Sequence, residues 1–71
     1  MEKAMLLKVE KTGEILKLID GRRLRVNPWD MPNACTWLPT TELEISEGGS
    51  GLFSVSVHNI ADDVVIRGMW I

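Results

Sequence analysis

The chain has 71 residues, of which 45% are hydrophobic, with one cysteine and a formal net charge of −2. A chain this short builds only one core, so residues 1–71 are predicted to form a single domain. Cys35 cannot form an internal disulfide, and with His58 it falls short of a zinc ligand set. No apolar run approaches the roughly 20 residues that span a bilayer. We therefore expect no cofactor, no metal and no membrane partner.

The unpaired thiol and the lack of a signal-like N-terminus favour a cytoplasmic location. Charge is distributed unevenly: residues 1–26 hold seven of the eight basic residues and four acids, whereas residues 27–71 hold one basic residue and six acids. Such asymmetry can steer a charged partner or a second copy of the chain. The negative net charge does not favour general nucleic-acid binding.

Alternating apolar residues predict a three-stranded meander at the N-terminus. Glycine suits the turn at 12–13, and a two-residue turn there pairs Val9 with Leu16 and Leu7 with Leu18 on one face. A three-residue turn would split these residues between the two faces. The hydrophobic pattern therefore favours the shorter turn.

The opposite choice follows at the second turn. A three-residue loop, Ile19-Asp20-Gly21 with a left-handed glycine, sets Leu16 against Leu24, whereas a two-residue turn would set leucines against arginines. The predicted buried face of the meander consists of Met5, Leu7, Val9, Leu16, Leu18, Leu24 and Val26.

The proline-containing segment 27–33 predicts a loop that ends the meander. A short strand, 34–38, and a turn, 39–41, are predicted to follow. This strand would pair Trp37 with Leu43 and Cys35 with Ile45, placing Trp37 in the core and leaving Cys35 buried and inert.

The rest of the chain predicts a glycine-rich hinge at 47–51, a strand at 52–58, a turn at 59–63 and a last strand at 64–71. No segment shows sustained helical periodicity. The predicted fold class is all-β: a five- or six-stranded SH3-like barrel built on the N-terminal meander. An OB-like barrel is the alternative, disfavoured because no helix is expected between the third and fourth strands.

The middle of the chain contains an Asp-Gly hairpin, a Pro-aromatic-Asp loop and a Trp-x-Pro turn, here Asp20-Gly21, Pro28-Trp29-Asp30 and Trp37-Leu38-Pro39. These short motifs resemble those of small uncharacterised bacterial β-barrel proteins. The resemblance covers about half of the chain. It departs from the family pattern at Leu24, where an aromatic is usual, and at Thr40, where glycine is usual. It implies a fold but no activity.

No catalytic constellation is apparent, so we predict that the protein is not an enzyme. His58 alternates with serines on a polar strand face, and a Ser/His pair needs an orienting acid and an oxyanion site. The adjacent acids Asp62 and Asp63 are typical of a solvated turn rather than a cation site.

The two predicted turns place Lys8 opposite Lys17, and Lys17 opposite Arg23, on the outward face of the meander. Like charges facing each other across strands are destabilising. Either Glu10 or Glu14 neutralises this row, or the row binds an acidic partner such as the Glu42/Glu44 face of a second copy.

Trp29 lies in the proline-bounded loop, where it either stacks on a ligand or folds over an open end of the barrel. Trp70 lies in an apolar C-terminal end that forms the last strand or a subunit contact. The predicted function is a non-enzymatic protein-binding or assembly module, with nucleic-acid binding as the alternative. The candidate partner-binding residues are Lys8, Lys17, Arg23, Arg25 and Trp29.

Overall fold

The chain, described over residues 1–71 by a computed structural model, contains six β-strands and three short helical turns. The strands are β1 (Glu2–Glu10), β2 (Ile15–Leu18), β3 (Arg23–Val26), β4 (Glu42–Glu47), β5 (Val55–Asn59) and β6 (Val64–Trp70). Two 3-10 turns span Lys11–Gly13 and Pro28–Asp30, and one helical turn, α1, spans Met31–Ala34. None of these helices is long or apolar enough to cross a membrane.

The six strands form a closed antiparallel barrel in the order β1-β2-β3-β6-β5-β4. Two three-stranded meanders, β1-β2-β3 and β4-β5-β6, are joined where β3 pairs with β6 and β4 pairs with β1. Closure leaves no free sheet edge to pair with another chain. The predicted small all-β barrel on an N-terminal meander is confirmed, with six strands.

The predicted register of the second hairpin is confirmed, and that of the first is confirmed next to its turn but not at Leu7, which does not pair with Leu18. Val9 faces Leu16 across the first hairpin, and Leu16 faces Leu24 across the second. Gly21 has a φ of +96°, and its N–H donates to the Leu18 carbonyl at 3.0 Å, as the three-residue loop requires.

The predicted burial of Leu7 is wrong, because β1 carries a bulge between Leu6 and Lys8. Leu18 pairs with Leu6, which is fully buried, while Leu7 is 39% exposed. The cause is that β1 has two neighbours. It must place Val9 inward beside β2 and Ala4 inward beside β4. These two residues are an odd number of positions apart, so strict alternation would put them on opposite faces of the strand, and the bulge corrects this. Met5 points outward and is half-buried.

The predicted strand at 34–38 is also wrong. The Cys35 N–H donates to the Met31 carbonyl and the Trp37 N–H to the Ala34 carbonyl, so the chain is helical and then turns. Ala34 and Trp37, three residues apart, are both buried, while Cys35 is exposed rather than buried. Trp37 is a core residue as predicted, but it reaches the core from a turn.

Two further expectations for this segment fail with the strand. Trp37 and Cys35 do not pair with β4, because β1 occupies that position: Ala4 faces Leu43 and Glu2 faces Ile45. A helix, α1, does lie between the third and fourth strands, so its expected absence no longer counts against the OB-like alternative. A closed six-stranded barrel is compatible with either description.

The last two strands follow the prediction closely. The fifth begins at Val55 rather than at residue 52, leaving Leu52 70% exposed, and the sixth ends at Trp70. The turn between them is held by the Asp62 N–H, which donates to the Asn59 side-chain oxygen at 3.3 Å. The core inside the barrel comprises Leu6, Leu16, Leu18, Leu24, Val26, Ala34, Trp37, Leu43, Ile45, Val55, Val57 and Ile66.

Candidate partner-binding face

The cations predicted to line up on the meander do so. Lys8 faces Lys17 across β1 and β2, and Lys17 faces Arg23 across β2 and β3. These residues alternate with the buried leucines, so their side chains lie on the outer surface of the barrel. The fold therefore places three like charges side by side.

Glu10 neutralises part of this row, as one of the two interpretations expected. Its carboxylate lies 3.8 Å from Lys8 Nζ and 3.7 Å from the Arg23 guanidinium. Glu14, the other candidate, makes no ion pair. Lys17, in the middle of the row, also has no acidic partner. It lies between two other cations and makes no ion pair of its own.

The row continues onto β3 and β6. Arg25, on the same face as Arg23, pairs in register with Met69, and Arg67 lies two residues from Met69 on that face of β6. Arg25 and Arg67 are thus diagonal neighbours across the strand pair, and neither makes an ion pair. We define the basic face as Lys8, Lys17, Arg23, Arg25 and Arg67. Sequence reasoning missed Arg67, because only the β3·β6 register brings it to this face.

Trp29 lies at the edge of the basic face, on the 3-10 turn that follows β3. Asn27 begins this turn, and its side-chain oxygen accepts the Trp29 N–H at 3.2 Å. Two bonds hold the turn against Arg67: the Asn27 N–H donates to the Arg67 carbonyl at 2.8 Å, and the Arg67 N–H donates to the Asp30 carboxylate at 2.9 Å. The turn is fixed, yet the Trp29 side chain is 89% exposed. Trp29 therefore does not close the core.

The other two tryptophans have structural positions. Trp37 is only 6% exposed. Trp70 lies in β6 and packs partly against the core, with the Arg22 guanidinium 4.8 Å from its ring centre in a cation–π contact.

Arg22 is a cation whose charge is satisfied within the fold. It donates to Glu2 at 3.0 Å and to Asp20 at 2.8 Å. Hydrogen bonds from Arg22 lower the pKa of both carboxyl groups. The same bonds raise the pKa of Arg22, with the bond to Glu2 as the largest cause and the bond to Asp20 as the second. We therefore leave Arg22 outside the basic face.

His58 lies on the opposite side of the barrel, between two acids. Its Nε2 is 2.8 Å from the Asp63 carboxylate, and its Nδ1 is 3.3 Å from the Glu44 carboxylate. The hydrogen bond to Asp63 raises the pKa of His58 most, and the hydrogen bond to Glu44 raises it further. Because both ring nitrogens face carboxylates, neither is free to accept a proton from a serine. Asp63 thus acts in this ion pair, while Asp62 is held in the turn.

Two pockets open on the surface. The larger, of about 360 Å³, lies between the outer sides of β1 and β4, beside the β2–β3 turn. The smaller, of about 200 Å³, lies beside Trp37 and Asn59. No group of three or more histidine, cysteine or acidic side chains could hold a metal ion.

No protein-family model matches the chain, and searches of curated proteins and of solved structures found no significant match. The resemblance to small bacterial β-barrel proteins stays a prediction.

Proposed function

We propose that this domain is a non-enzymatic protein-binding module whose basic face and Trp29 hold an acidic segment of a partner protein. One observation carries the proposal. Three cations without an acidic partner, Lys17, Arg25 and Arg67, lie on one face next to a tryptophan that is 89% exposed. Tryptophan and arginine are the residues that most often dominate binding energy at protein interfaces.

The repulsion within the basic face supports this proposal. Lys8, Lys17 and Arg23 face one another, and Glu10 offsets only the two outer charges. An acidic partner would offset the remaining charge on Lys17, so binding would relieve a repulsion that exists in the free domain. Charge at a rim also accelerates encounter with an oppositely charged partner.

The fixed geometry of Trp29 supports it as well. The backbone bonds that hold the 3-10 turn against Arg67 mean that little chain entropy is lost when Trp29 binds a ligand. An exposed aromatic on an ordered turn is thus prepared for contact with a partner.

The test is titration of a fluorescently labelled glutamate-rich peptide at low salt, followed by anisotropy. Neutralising one cation, in Arg25→Gln or Arg67→Gln, should weaken binding about five- to tenfold, where tenfold corresponds to about 1.4 kcal/mol. Lys3→Gln is the matched control, because it removes the same charge from the end of β1 that pairs with β4, outside the basic face. Equal weakening by Lys3→Gln would mean that only overall charge matters, and the proposal would fail.

Nucleic-acid binding is the second candidate, and one observation favours it. Trp29 is exposed on a turn bonded to the backbone of Arg67, at the edge of the basic face, and an exposed aromatic on a basic surface suits a stacked base with its phosphates. A labelled single-stranded oligonucleotide, titrated in the same buffer, separates the candidates. Tighter binding to the oligonucleotide than to the peptide, with a steep loss as salt rises, would replace the protein partner by a nucleic acid.

A further inference from the structure

The larger pocket has apolar walls and a charged rim. Met5, Ile19 and Ile60 contribute to its walls, and Ile19 and Ile60 remain 57% and 38% exposed. Asp20, Glu42 and Lys3 lie around them, so the rim carries two acids and one base. The volume of about 360 Å³ falls within the range of 300 to 1,000 Å³ typical of ligand pockets. A large aromatic side chain could therefore enter this pocket.

Trp29 lies far from this pocket. In the closed strand order, β3, which leads into Trp29, is opposite β4, which forms one side of the pocket. The pocket is also beside the turn where β3 begins, whereas Trp29 follows the end of β3. A single chain therefore cannot place its own Trp29 in its own pocket.

We propose that the pocket receives Trp29 of a second copy of the chain, so that copies associate head to tail. This inference rests on the proposed function, because it makes a second copy the acidic partner. A tryptophan side chain buries 150–250 Å² on entering such a pocket. One charge contact favours this arrangement: Arg25 and Arg67 accompany Trp29, and Glu42 on the pocket rim makes no ion pair of its own. Asp20, the other acid of the rim, is already bound to Arg22, and Lys3 is the one opposing charge.

Two consequences follow from this geometry. The contact joins two different surfaces, so each added copy leaves one pocket and one Trp29 free, and larger species form as the concentration rises. The interface rests on one aromatic anchor, so its area is small and the association is weak, with a dissociation constant of about 10 µM to 1 mM.

A mixing experiment tests the proposal. Trp29→Ala removes the inserted side chain and leaves the pocket intact, while Ile19→Lys blocks the pocket and leaves Trp29 intact. In sedimentation velocity, the wild type should form dimers and larger species at high concentration, and each variant alone should stay monomeric. An equal mixture of the two variants should form dimers and nothing larger, because it contains only one competent pairing.

Leu52→Ser is the matched control, since Leu52 is an exposed apolar residue outside the pocket. It should associate like the wild type. Circular dichroism checks that each variant is folded, and Ile60→Lys replaces Ile19→Lys as the blocking variant if the latter unfolds. Acrylamide quenching gives an independent readout: tryptophan emission should become less accessible to quencher as the wild type is concentrated, but not in Trp29→Ala.

Two results would overturn the inference. In one, Trp29→Ala associates as strongly as the wild type. In the other, the wild type stays monomeric at millimolar concentration. Neither result touches the proposed function, which the glutamate-rich peptide tests separately on monomeric protein. If instead the peptide fails to bind while the mixed variants pair, Trp29 enters the pocket of a second copy through apolar contact alone. The proposal that the basic face binds an acidic partner is then wrong.

Discussion

Two charged clusters on opposite sides of the barrel are built in contrasting ways. Around His58, an imidazole ring lies between two carboxylates, and each ring nitrogen has a carboxylate partner. Around Lys17, a cation lies between two other cations, and a single carboxylate, that of Glu10, offsets only its neighbours. Both clusters sit on the outer faces of antiparallel strands, so exposure alone does not distinguish them.

The two clusters differ in whether their charges are available to a partner. A charge that is paired with an opposite charge inside the domain contributes to stability and is not available to a binding partner. A charge that the fold leaves facing like charges lowers stability, and it is available to a partner. The free energies of unfolding of charge variants should therefore respond in opposite directions on the two sides.

The largest effect is expected at Glu10, the only acid within the row. Glu10→Gln removes its attraction to Lys8 and Arg23 and leaves the three cations uncompensated, so it should destabilise the domain by about 1 kcal/mol at low salt. Urea denaturation measures this change. Glu14→Gln, which removes the same charge from a neighbour without an ion pair, should have a much smaller effect. Equal effects from both variants would mean that Glu10 does not bridge the row.

A smaller effect of opposite sign is expected at Lys17. Lys17→Glu turns its pairs with Lys8 and Arg23 into attractive ones and adds a diagonal repulsion with Glu10, for a net gain of about 0.5 kcal/mol. The gain should shrink as salt is added, because exposed charges are screened within about 10 Å at 0.1 M. Thermal melts at two salt concentrations measure it.

Lys3→Glu is the matched control for this reversal. It changes net charge by the same amount but places a second acid opposite Glu44, so it should destabilise the domain. If both reversals shift the melting temperature in the same direction, overall charge governs stability and the contrast between the two sides does not hold. The Lys17→Glu variant should also lose the glutamate-rich peptide while becoming more stable.

The smallest effect is expected at His58 and appears as a dependence on pH. Its pKa is raised in the folded state, chiefly by Asp63 and then by Glu44. The protonated ring is therefore favoured by folding. The resulting stability is fully present below the unfolded pKa of about 6.5 and is lost as pH rises through the raised folded value.

Unfolding of the wild type and His58→Gln by urea across this range measures the effect. Stability of the wild type should fall as pH rises, and the variant should show a flatter profile. Asp63→Asn should shift the transition to lower pH, because it removes the main cause of the raised pKa. Parallel profiles for wild type and His58→Gln would show that the pair with Asp63 adds no stability.

The meander shows how far local pattern reaches. Alternation and turn chemistry predicted the β2-β3 register and the β1-β2 register next to its turn, and with them the row from Lys8 through Lys17 to Arg23. Of the two acids expected to neutralise the row, the structure shows Glu10 in that position. This succeeded next to the turns because a one-residue shift there would move the paired leucines to the outer face.

Tertiary structure decided the features that depend on a second neighbour. Leu7 is pushed outward because β1 must satisfy both β2 and β4, and no pattern within β1 reveals its second partner. The segment from Ala34 to Trp37 alternates like a strand, yet it turns helically, because β1 already occupies the position beside β4 that this strand was predicted to take.

The candidate site divides in the same way. Sequence pattern alone predicted that Lys8, Lys17, Arg23 and Arg25 share the outer face of the meander, because their spacing along paired strands fixes the side they occupy. Only closure of the barrel brought Arg67 to that face, left Trp29 exposed on a held turn, and opened a pocket between β1 and β4. The physical reason is range: alternation and turns act between residues a few positions apart, whereas strand order is set by burying one common core.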